Sequence, residues 1–68
     1  MPIKIKKLKA ALSKAGFYPR SAKGSHTLWK HPALPAFRVT LSGNDGDDAQ
    51  RYQIDDVREA LRKVGKDL

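Results

Sequence analysis

The chain reads as an α+β fold in the order α-β-β-β-α, with both helices on one face of a three-stranded antiparallel sheet. Three observations carry that expectation. The two ends of the 68-residue chain repeat apolar residues at helical spacing, the middle alternates apolar and polar residues at strand spacing, and each change of period falls near a glycine or proline. No repeat, linker or low-complexity stretch divides the sequence, so residues 1–68 are expected to form one domain.

The first helix is expected over roughly residues 3 to 15. Ile5, Leu8, Leu12 and Ala15 recur at spacings of three and four with Ala11 beside them, while Lys4, Lys6, Lys7, Lys9 and Lys14 fill the other directions. Pro2 suits a helix start and Gly16 a left-handed exit. A strand from about Phe17 to Ala22 follows. Pro19 has no N–H to give a ladder, which places that strand at a sheet edge. Lys23-Gly24 turns the chain, and a second strand spans about Ser25 to Lys30. Alternation puts His26, Leu28 and Lys30 on one face, with Ser25, Thr27, Trp29 and His31 on the other. Each face then carries one large apolar residue, so periodicity leaves the facing open, and Trp29 is either core or a platform for a stacked base. Pro32-Ala33-Leu34-Pro35 reads as a turn or short loop. Phe37, Val39 and Leu41 alternate inward against outward Arg38 and Thr40, giving the third strand.

Ser42 to Ala49 reads as an exposed loop, because Gly43, Asn44, Gly46 and three aspartates favour turns and solvent. A calcium loop starting at Asp45 fails on its own spacing: the fifth position is Ala49, the sixth is Gln50 where glycine is needed, and the twelfth is Asp56 where a bidentate Glu is needed. No metal site is expected. The second helix carries Ile54, Val57, Leu61 and Val64 on one face, Asp55 or Asp56 near its start, Arg62 and Lys63 near its end, and Gly65 as its stop. With both helices on one side of the sheet, the other side is left to solvent or a partner.

There is no cysteine, so packing of helices on the sheet must hold this small fold without a disulfide or thiolate metal site. The net charge of +7 is unevenly placed. Residues 1 to 38 hold nine Lys or Arg and no acid, and residues 39 to 68 hold five basic against seven acidic side chains, or +9 and −2. A one-signed field repels itself, and a polyanionic partner, nucleic acid or an acidic protein, relieves it. A solvated basic face is the plain alternative. No apolar run is long enough to cross a bilayer, and the start alternates Ile and Lys, so a cytoplasmic protein with no membrane partner is expected. Phosphate-binding glycine loops and paired helical histidines are absent from the sequence. Ser25 and His26, adjacent on a strand, would point to opposite faces and not share a proton.

His26 remains, at the junction of the Lys23-Gly24 turn and a basic strand. Histidine alone among side chains exchanges a proton near neutral pH without help from its surroundings, which makes His26 the candidate acid or base. Taken together, Gly16-Phe17, Arg20, Lys23-Gly24-Ser25-His26, a basic strand ending His31-Pro32, Val39-Thr40, and a last helix ending Arg62-Lys63-Val64-Gly65 resemble the HicA family of small bacterial toxins over nearly the whole chain. The resemblance implies a double-stranded-RNA-binding-like fold, messenger-RNA interferase activity, and neutralisation by a HicB antitoxin. The family's catalytic histidine carries over to His26.

RNA is cut when its 2′-hydroxyl loses a proton and attacks the adjacent phosphate, which needs a base, an acid and positive charge near the phosphorane. No cofactor enters. His26 would supply one proton transfer, and Lys23, Arg20 and Lys30 would hold the phosphate. Gly24 and Ser25 would shape the turn and let the backbone approach RNA closely. The second proton-transfer group has no candidate here, and His31, on the opposite face by strand parity, is not assigned. A HicB-like antitoxin would cover the basic face and occlude His26. A non-catalytic RNA-binding module of the same fold is the alternative, and a protein that binds only an acidic protein subunit is a third class.

Overall fold

The computed structural model describes residues 2–68. In chain order it contains α1 (Ile5–Lys14), β1 (Tyr18–Ser21), β2 (Thr27–His31), β3 (Leu34–Leu41) and α2 (Arg51–Lys63). The strands form one antiparallel sheet in the order β1-β2-β3. This is the expected α-β-β-β-α arrangement. Ile5, Leu8 and Leu12 of α1 and Val57, Ala60 and Leu61 of α2 meet Trp29, Val39 and Leu41 in a single buried core. No helix among the described residues is long and apolar enough to cross a membrane.

Burial resolves the facing that periodicity left open. Trp29 is 4% exposed and pairs with Pro19 and Val39, so the row through Trp29 faces the helices. Because side chains alternate along a strand, Leu28 and Lys30 point away from them, along with Tyr18, Arg20, Arg38 and Thr40 at their paired positions. Both outer strands hold a proline, Pro19 in β1 and Pro35 in β3. An edge strand accepts the missing N–H on its solvent side.

Leu34 and Pro35, expected in a turn, already belong to β3. The turn is only Pro32-Ala33, because His31 pairs with Leu34 after an irregularity in register at Lys30/His31. His31 holds this corner. Its Nδ1 accepts from the Ala33 N–H at 3.0 Å, so its Nε2 carries the proton that reaches the Ala15 carbonyl at 3.2 Å. The ring also stands edge-on to Phe17, with centroids 4.9 Å apart at 71°. Those contacts give His31 a structural role beneath the sheet.

Both helices finish with the same paired hydrogen bonds. At α1, Phe17 N donates to Leu12 O at 3.0 Å and Gly16 N to Ser13 O at 3.1 Å; at α2, Lys66 N donates to Leu61 O at 2.8 Å and Gly65 N to Arg62 O at 3.1 Å. This closure places residue 16 at φ +99°, which L side chains rarely adopt.

The acidic loop is exposed as expected, and it also braces α1. That helix has no side-chain cap and no acid in its first turn. Its orphan amides are instead met by the loop's backbone: Ile5 N donates to Asp47 O at 2.9 Å and Lys6 N to Asp45 O at 3.1 Å. Lys4–Asp48 and Lys9–Asp45 ion pairs, at 2.6 and 2.7 Å, lie over the same junction.

At α2 the expectation of Asp55 or Asp56 near the start is corrected. The helix begins at Arg51 with no acid in its first turn, so both aspartates lie beyond the reach of its N-terminal amides. Gln53 caps it instead. Buried to 2% exposure, it accepts from Gln50 N at 2.8 Å and donates to Ser42 O at 3.0 Å and Ser42 Oγ at 3.3 Å, tying the helix start to the end of β3.

Candidate active site at the sheet corner

β2 begins at Thr27, two residues later than alternation indicates, and this decides where His26 lies. The segment Lys23–His26 is a turn closed by His26 N donating to Lys23 O at 3.1 Å, and Ala22 N donates to His26 O at 3.3 Å across its base. Gly24 sits at φ +63° with no atom within 4 Å of where a Cβ would stand. The turn needs glycine's backbone freedom there, and the space beside it is open. Ser25 Oγ accepts from Gly43 N at 3.4 Å, pinning this turn to the loop after β3.

His26 is exposed at the corner of the sheet and lines two clefts. The first, about 580 Å³, runs beneath the turn beside Gly24, Ser25, Lys9 and Asp45. The second, about 420 Å³, follows the outer edge of β3, and there His26 shares the walls with Arg38, Thr40, Tyr52, Asp56 and Glu59. Each is of the size that holds a small ligand or one unit of a polymer.

Of the residues proposed from sequence to hold RNA, Gly24 and Ser25 lie with His26 in the first cleft. Lys23 is in the turn but lines neither cleft. Arg20 and Lys30 are on the open sheet face, where Lys30 stands directly across from Arg38 and beside Tyr18. Like charges directly opposite on one sheet face are destabilising. Arg38 links the two regions, belonging to the basic row by register and to the second cleft by position.

Tyr52, Asp56 and Glu59 line the second cleft, a placement that sequence reasoning misses. Their spacing of four and three marks one stripe of α2, but on its polar side, where such a pattern is ordinarily solvated. Only packing of α2 along β3 brings the stripe beside His26. Among the described residues no three ligand-type side chains gather closely enough to hold a metal ion.

A family profile described as the HicA toxin of bacterial toxin-antitoxin matches residues 5–66, which spans α1 through the end of α2. The chain belongs to the HicA toxin family. Among curated proteins and among solved structures, nothing matches it. As a HicA-family toxin it carries its Gly24-Ser25-His26 element inside the matched region, in the exposed turn between β1 and β2.

Proposed function

We propose that this HicA-family toxin is an mRNA interferase: an RNA endonuclease that works without metal, acts in the cytoplasm, and is neutralised by a HicB-like antitoxin protein. The observation that carries the reading is the exposed His26 lining one cleft with Arg38, at the corner of a sheet face that also presents Arg20 and Lys30. His26 moves a proton to or from the reacting ribose–phosphate, a role worth about 10²–10⁴ in rate. Arg38 stabilises the added charge on the phosphorane. Arg20, Lys30 and Lys23 hold flanking phosphates, and the open space at Gly24 and Ser25 admits the RNA backbone. An antitoxin seated over this corner blocks both clefts at once.

Expression of wild type and His26→Ala in cells, followed by growth curves and RNA integrity, tests the reading. Wild type is expected to arrest growth and degrade messenger RNA, and His26→Ala to do neither while accumulating as folded protein. Arrest with intact RNA overturns the nuclease assignment and leaves binding alone.

A further inference from the structure

One histidine supplies one proton transfer, whereas cleavage of RNA by its own 2′-hydroxyl needs two. Asp45, the carboxylate of the first cleft, is held by Lys9 at 2.7 Å, while the cleft along β3 offers Asp56 and Glu59 without an ion pair among the described residues. Two contacts fix how α2 runs past β3. Gln53 is bonded to Ser42 at the end of the strand, and the Lys63 ammonium lies 5.0 Å over the Phe37 ring near its beginning. Tyr52 is therefore level with Ser42, Glu59 lies toward Arg38, and Asp56 stands between them, opposite the Thr40 region. His26 immediately precedes Thr27, which pairs with Leu41, so it is at the Ser42 end. Along the strand, Asp56 thus falls between the levels of His26 and Arg38, and all three residues line this one cleft.

We propose that Asp56 is the second proton-transfer group of this site, an assignment that rests on the RNA-cleaving reading above. A carboxylate serves as a general base by taking the proton on an oxygen that carries none. Asp56 is exposed and makes no ion pair among the described residues; the α2 pair is Arg51 with Asp55, at 3.7 Å. The step balances within the substrate and two side chains. Asp56 takes the proton of the 2′-hydroxyl, the freed oxygen bonds to phosphorus, the bond from phosphorus to the 5′-oxygen breaks, and protonated His26 gives its proton to that leaving oxygen. The products are a 2′,3′-cyclic phosphate and a 5′-hydroxyl. Arg38, from β3, is the cation that lines the same cleft, and Glu59 and Tyr52 are the other titratable groups there.

The chemistry separates this role from a structural one, because a carboxylate beside a phosphodiester repels it. Asp56→Asn is expected to bind RNA as tightly as wild type or more so, yet cleave about 10²–10⁴-fold more slowly. Purified wild type, Asp56→Asn, Glu59→Gln, Tyr52→Phe and His26→Ala, each checked for folding by circular dichroism, would be assayed against one in vitro transcribed messenger RNA. Near-wild-type cleavage by Asp56→Asn overturns the assignment, as does a loss of about 10²–10⁴-fold in Glu59→Gln instead. A wild type that leaves the transcript intact overturns the underlying nuclease reading, so the two failures are distinguishable.

Discussion

Gly16→Ala should be far more damaging than Gly24→Ala, although both positions require positive φ. At Gly24, φ is +63° and the place of a Cβ is empty, so alanine brings only the conformational cost of a left-handed L residue, about 1–2 kcal/mol. At Gly16, φ is +99° and a Cβ would stand 2.9 Å from His31 Nε2. The ring must shift, which disturbs its 3.2 Å bond to Ala15 O and its edge contact with Phe17. A hydrogen bond is worth about 0.5–1.5 kcal/mol and an aromatic pair a similar amount, so Gly16→Ala is expected to cost roughly 1–3 kcal/mol beyond Gly24→Ala. In a domain of this size each kcal/mol lowers Tm by about 4–8 °C. Thermal and urea unfolding followed by far-ultraviolet circular dichroism read both variants. The double variant with His31→Ala tests the cause: once the ring is gone, Gly16→Ala should cost little more than Gly24→Ala, a coupling of about 1–3 kcal/mol. Equal costs at the two glycines, or no coupling to His31, would refute the reasoning.

Gln53→Leu removes a buried amide that caps α2 and satisfies Ser42. It strands the Ser42 carbonyl and should lower the urea midpoint by an amount equivalent to about 1–3 kcal/mol, with Gln53→Glu at least as harmful because it buries a charge and loses the amide donor. On the open face, Arg20→Ala, Lys30→Ala and Arg38→Ala combined should weaken RNA binding across all sequences. The slope of log K against log salt should shrink by about 0.7–0.9 for each phosphate that is no longer neutralised, as read by fluorescence anisotropy over a salt series; an unchanged slope would remove this face from the interface.

The parts of the fold that follow from local chemistry are legible in the residues. α1 falls within its expected span because its apolar stripe ends at Gly16, and Pro19 marks an edge strand because it lacks an N–H. The start of β2 is not legible, since Ser25 and His26 continue the alternation while the chain there is held in a turn that closes with His26 N donating to Lys23 O. The Pro32–Pro35 segment suggests a longer turn than the His31 side chain permits. The acidic loop looks merely solvated because its work is done by backbone carbonyls, which carry no sequence signature. In the site, the Gly24-Ser25-His26 element announces itself through turn chemistry. Asp56 and its neighbours do not, because a polar helical stripe becomes a cleft wall only after α2 is laid against β3.

The central claim is that His26 cuts RNA. Its most direct measurement is the cleavage of a labelled transcript by purified protein in the presence of a chelator, with the new ends identified chemically. Wild type is expected to leave 2′,3′-cyclic phosphate and 5′-hydroxyl ends, and folded His26→Ala to leave the transcript whole while binding it with nearly unchanged affinity. Cleavage by His26→Ala at the wild-type rate would contradict the account.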